Sequence, residues 1–125
     1  MKLLDTSVAI DHLRGVRAAN QLLQQLVDSD ESITASEVVR FELLAGVHSD
    51  EMEQLEQFCA TVEWIAVDEE VARTAGTLAL RYRRAYQGID DVDYLIAGTA
   101  LALGAEILTT NVRHFPMFPS LQPPY

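Results

Sequence analysis

Lysine is almost missing from this chain: of 9 basic residues only Lys2 is lysine and the rest are arginine. A signalling domain that carries a phosphoryl group on aspartate needs a lysine at the end of a late strand, and none follows position 2. Cysteine occurs once, as Cys59, which excludes an internal disulfide, and no zinc-type spacing surrounds it. Positive charge is scarce as well, with 9 basic against 19 acidic residues and a net charge of −10. That balance argues against a broad nucleic-acid-binding surface, which needs a basic footprint. It suits a site that gathers hard divalent cations, because these take oxygen ligands. No apolar run approaches the roughly 18–20 residues that cross a bilayer. The N-terminal stretch carries one basic residue and is broken by Asp5 and Asp11, a poor signal peptide. The expected setting is reducing and cytoplasmic.

What is present reads as one domain over residues 1–125, since a chain of this length buries a single core. With 49% apolar and 22% charged residues, whole-chain disorder is excluded. Residues 2–4 form a short apolar run ending at Asp5, and from Ser7 the pattern turns helical until Gly15. A second helix is expected over 17–29. "SIT" at 32–34 reads as a strand, and Thr34 with Glu37 has capping-box spacing for a helix to about Gly46. Another helix is expected over 50–60 and a strand at "WIAV", 64–67. Asp68 caps a helix with Val71, Ala75, Leu78, Tyr82 and Tyr86 at helical spacing, ended by Gly88. A further helix runs from about Asp91 to Leu103 with Gly104 as its stop, and "EILTT" reads as a strand. The proline-rich tail "FPMFPSLQPPY" is extended, with one edge strand expected near Leu121. Strands alternating with helices point to an α/β fold with a mainly parallel sheet.

Ligands of such sheets gather at the carboxyl ends of the strands. Asp5 stands at one such end and reads two ways, as the cap of the following helix or as one wall of a site. Glu42 has Val38, Val39, Ala45 and Gly46 as its helix neighbours; an ionised group there needs a partner or an edge open to solvent. Asp93 lies in the first turn of its helix but shares a face with Ile96, Ala97 and Ala100, whereas Asp90 and Asp91 read as cap and solvated neighbour. Asn111 follows "ILTT" and also suits a cap, with Thr109 and Thr110 offering hydroxyls at the same rim. Several acids at one edge repel one another unless a cation joins them, and Mg2+ or Mn2+ resolves that clash.

The segments "LLDTSVAID", "SEVVRFELLAG", "DYLIAGTAL" and "ILTTNVRHF", in that order, resemble PIN-domain ribonucleases, and more closely the VapC-type toxins of toxin–antitoxin modules. The resemblance implies a three-layer α/β/α sandwich with a mostly parallel five-stranded sheet. It implies Mg2+-dependent hydrolysis of RNA phosphodiester bonds, with Mn2+ as a substitute, restraint by a cognate antitoxin, and a homodimer. The family's acidic cluster maps onto Asp5, Glu42 and Asp93, with Asp5 and Asp93 as metal ligands and Glu42 binding through water or orienting the nucleophile. Its fourth position falls on Asn111, where many relatives carry Asp, so a second tightly held metal is in doubt. The family's polar contacts map onto Ser7 and Thr109. Arg40, Arg81, Arg83, Arg84 and Arg113 are candidate contacts to RNA phosphates, although the 81–84 group also reads as a solvated helix end. His114 reads two ways, as a contact to substrate or, foremost, as a turn residue packed beside Phe115. A haloacid-dehalogenase-like phosphatase would want a second Asp at position 7, where Ser stands. A binding module whose acids are only caps is the remaining alternative.

Overall fold

The computed structural model describes residues 1–125. Four strands, β1 (Lys2–Leu4), β2 (Ile33–Ser36), β3 (Glu63–Ile65) and β4 (Glu106–Leu108), form one sheet in the order β3-β2-β1-β4. Every adjacent pair is parallel. Six helices connect and cover them: α1 (Thr6–Leu13), α2 (Arg17–Asp28), α3 (Glu37–Gly46), α4 (Met52–Cys59), α5 (Glu69–Tyr82) and α6 (Asp91–Leu103). Successive strand residues face opposite sides, and both Leu3 and Leu4 are fully buried. Helices therefore lie on both faces, and the arrangement is a three-layer α/β/α sandwich. The shared core includes Val8, Val39, Leu55, Ile96, Ile107 and Phe115.

The sheet has four strands, one fewer than the resemblance implies. The expected edge strand near Leu121 does not form. Pro116, Pro119, Pro123 and Pro124 leave the tail too few N–H donors for a ladder, and it folds instead into turns in which Phe118 donates to Phe115 and Leu121 to Phe118. Phe115 is buried, and Met117, Phe118 and Leu121 pack on the core. The last residue ties the tail to α1, its Oη donating to Asp11 Oδ2 at 2.6 Å.

Local signals set several helix ends. Asp68 accepts from Val71 N–H at 2.9 Å, and Asp90 and Asp93 form a reciprocal capping box at the start of α6. Gly104 closes α6 at φ +64°, the left-handed conformation glycine adopts freely. Strands β3 and β4 end two residues short of "WIAV" and "EILTT", at Ile65 and Leu108, and two helix ends also move. The cap of α3 is Ser36, which accepts from Val38 N–H, while Thr34 lies buried in β2 because the strand runs two residues further than expected. Helix α5 stops at Tyr82 instead of reaching Gly88, because the chain must turn towards α6; Arg83 there bridges to Asp91.

Helices α5 and α6 meet closely at Gly98. A Cβ on that residue would lie 2.8 Å from both the Cβ and the backbone N of Ala75. Backbone cannot yield locally, so Gly98→Ala is expected to destabilise the fold by about 1–3 kcal/mol despite alanine's better helix propensity. A chemical-denaturation midpoint equal to or above that of the unsubstituted protein would refute this packing.

Candidate active site

The central strand β1 has β2 on one side and β4 on the other, so the connections diverge at its carboxyl end. Such a switch point opens a crevice for ligands. Leu4 pairs with Leu108, and the next residues, Asp5 and Thr109, are consequently neighbours. Asp5 N–H donates to Leu108 O at 2.9 Å, extending the pairing by one bond.

The two readings of Asp5 separate here. It occupies the N-cap position of α1, yet its carboxylate makes no capping bond. Its Oδ2 accepts from Ser7 Oγ at 2.9 Å and from Thr109 Oγ1 at 2.6 Å. Ser7 Oγ in turn accepts from Thr110 N–H, and Thr109 Oγ1 from Asn111 N–H. Asp5 is only 4% exposed, so this hydroxyl network is what its charge has in place of water.

Glu42 reaches the same edge from α3 and does not turn to solvent: it is half-buried and accepts a hydrogen bond from Thr6 Oγ1. Burial raises its pKa, the Thr6 hydroxyl lowers it, and the charges of Asp5 and Asp90 raise it again. Asp93 lies on the inward face of α6 with its side chain 14% exposed, whereas Asp91 is exposed and paired with Arg83. Burial pushes the Asp93 carboxyl up to about 6; the Asp90 backbone N–H opposes that, Asp90 charge adds to it, His114 lowers it and Asp5 adds a smaller push. Asp5 and Asp90 thus each act electrostatically on both Glu42 and Asp93.

The structure does not draw the acids into a closed cage, since no group of three His, Cys, Asp or Glu side chains is gathered tightly enough to hold a metal alone. The donor set fits Mg2+ nonetheless. Its donors are oxygens, their charges repel, and Mg2+ keeps several waters while taking one or two carboxylates. Asn111 sits beside this group through its backbone, but its side chain is exposed and makes no cap bond to the short 3-10 turn that follows, so the capping reading does not hold.

Among the arginines, Arg40 is engaged by Glu37 and stacks 4.3 Å over the Trp64 ring. Arg83 pairs with Asp91 and lies 5.4 Å from the Tyr94 ring. Arg81, Arg84 and Arg113 are exposed. Two contacts to the acids are not legible in the sequence. Thr6, between Asp5 and Ser7, points to Glu42, and the only available signal was its place inside "DTS". His114 puts Nδ1 3.2 Å from Asp93 Oδ2, a contact its position beside Phe115 did not suggest.

A PIN-domain family model matches residues 2–117. Ribonuclease VapC19 of Mycobacterium tuberculosis is 61% identical over 125 residues, covering all of both chains. The chain belongs to the PIN-domain family, in its VapC branch. Solved structures agree on the fold of this VapC-family chain. A toxin–antitoxin complex from Klebsiella pneumoniae superposes with a TM-score of 0.82 at 25% identity, over 100% of this chain and 98% of that one. VapBC2 from Rickettsia felis, bound to a DNA fragment from its promoter, gives 0.83 at 23% identity, over 96% and 94%.

Proposed function

We propose that this VapC-family chain is a Mg2+-dependent endoribonuclease, the toxin of a toxin–antitoxin pair. One observation carries the reading. A buried aspartate at the sheet's switch point is held by Ser7 and Thr109 hydroxyls beside two carboxylates, Glu42 and Asp93, whose pKa values are raised. The name of the full-length relative, a ribonuclease, supports the same chemistry.

Asp5 and Asp93 would hold the cation, with Glu42 nearby through water. When bound, it lowers the pKa of water and stabilises the charge that develops on a phosphoryl oxygen. Glu42, whose proton affinity is increased by burial, accepts the proton that an attacking water gives up. Ser7, Thr109 and Thr6 keep the carboxylates in place, and position 111, an asparagine with no carboxylate to offer, favours a single metal. Arg81, Arg84 and Arg113 steer the RNA backbone past an otherwise acidic surface.

The antitoxin has a fitting seat. A cavity of about 220 Å³ lined by Ile10, Leu13, Leu43, Val47 and Leu55 reaches Glu42. Apolar antitoxin side chains would fill it while an Arg or Lys meets the acids. Exposed Phe41 and Leu44 on α3 suit a homodimer contact.

The test is direct. Purified protein with Mg2+ or Mn2+ is expected to cut an RNA pool at discrete sites, mapped by sequencing the new ends, and excess EDTA is expected to stop it. An RNA pool left intact with both metals would sink the nuclease reading.

A further inference from the structure

We infer that His114 is a positioning residue for Asp93, holding Oδ2 so that Oδ1 is the oxygen Asp93 offers to a cation. The inference rests on the carboxylate site proposed above and assigns one more residue to it.

Two separate segments meet at a single oxygen. Asp93 Oδ2 accepts from Asp90 N–H at 3.2 Å at the start of α6. From the turn beyond β4, His114 Nδ1 approaches the same oxygen at 3.2 Å. Oδ1 accepts no hydrogen bond from the chain. Asp5 shows the same division, its Oδ2 taken by Ser7 and Thr109 and its Oδ1 free of protein donors. Both aspartates therefore present one tethered oxygen and one available oxygen.

His114 is itself well anchored. Its N–H donates to Asn111 O at 2.9 Å, Phe115 N–H donates to Val112 O, and the Phe115 side chain is buried. The 3-10 turn Val112–His114 thus carries the imidazole to α6, while Asn111 at its start leaves its side chain exposed. Of the residues after β4, Thr109 meets Asp5 and it is position 114 whose side chain touches Asp93. A group that orients a ligating carboxylate from behind tunes metal affinity, and its loss typically costs about 10–100-fold.

The experiment titrates Mn2+ alone onto the intact protein without RNA, by calorimetry, and follows cleavage kinetics in parallel. His114→Leu is expected to weaken Mn2+ binding by at least about tenfold and to lower kcat with KM for RNA unchanged. His114→Asn, whose Nδ2 stands where Nδ1 stood, is expected to restore most of both. His114→Gln, which reaches instead to the Nε2 position, is expected to restore neither. Binding and kcat preserved in His114→Leu would overturn the inference, as would His114→Asn behaving like His114→Leu or a change confined to KM. In the first of these cases an Asp5→Asn protein that no longer binds Mn2+ shows the site itself to be sound. Absence of Mn2+ binding by the unsubstituted protein defeats the underlying site and this inference with it.

Discussion

Asp5→Asn is expected to lower RNA cleavage by on the order of 10²–10³-fold, the loss seen when one preorganised electrostatic group is removed from a reacting centre. The change is one atom in size. The backbone bond from Asp5 to Leu108 stays, and the Ser7 and Thr109 hydroxyls can rotate to face an amide as readily as a carboxylate. The fold should therefore persist. Asparagine also removes one charge from a group in which Glu42 and Asp93 are both raised by Asp5, so the metal-free variant is expected to melt at or above the temperature of the unsubstituted protein. Single-turnover cleavage of RNA, measured on antitoxin-free protein beside a thermal melt, reads both quantities. Cleavage at the unsubstituted rate would show that Asp5 does not act on the reaction. A collapse of the melt would show that its charge is structural.

The second large effect concerns pH. In the unfolded chain Asp93 titrates near the ordinary carboxylate value of about 4, whereas in the fold its pKa is about 6. Between these values the folded state keeps a proton that the unfolded state has lost, so stability falls as pH rises through that window. Glu42 is displaced in the same direction, chiefly by burial. Over the whole window Asp93 alone accounts for up to about 3 kcal/mol at 1.4 kcal/mol per pKa unit; about half of that falls between pH 5 and pH 7.5, a melting shift on the order of 5 °C for a domain of this size. In chelator, the protein is expected to melt higher at pH 5 than at pH 7.5. Mg2+ at pH 7.5 is expected to recover much of the difference, because a bound cation stabilises only the folded, ionised cluster. Asp93→Asn should flatten the metal-free profile. A melting temperature that rises from pH 5 to pH 7.5 in chelator would contradict the whole electrostatic account of the site.

Both predictions describe a protein that trades stability for a charged site. Ionised Glu42 and Asp93, both raised by burial, cost folding free energy, a cost that the proposed site would account for. Cys59 shows the contrast. It is buried and burial raises its thiol pKa, which makes it packing and not a nucleophile.

Periodicity and punctuation alone determined much of this molecule. Alternating short apolar runs and helical stripes required an α/β sheet, and Asp68, Asp90 and Gly104 set their helix ends because caps are local chemistry. The four motifs identified the family and picked out Asp5, Glu42 and Asp93. Local pattern could not decide what depends on neighbours distant in the chain. The tail looked extended, but proline denied it the bonds of a fifth strand, and Thr34 gave way to Ser36 as a cap because β2 is held in register by β1. Nothing local shows that the Asp5 carboxylate leaves its helix uncapped and instead meets Thr109, which β4 brings from 104 residues away. The same long reach sets Thr6 against Glu42 and His114 against Asp93. Side-chain type is written in the chain, but which oxygen meets which donor is settled only when separate elements pack.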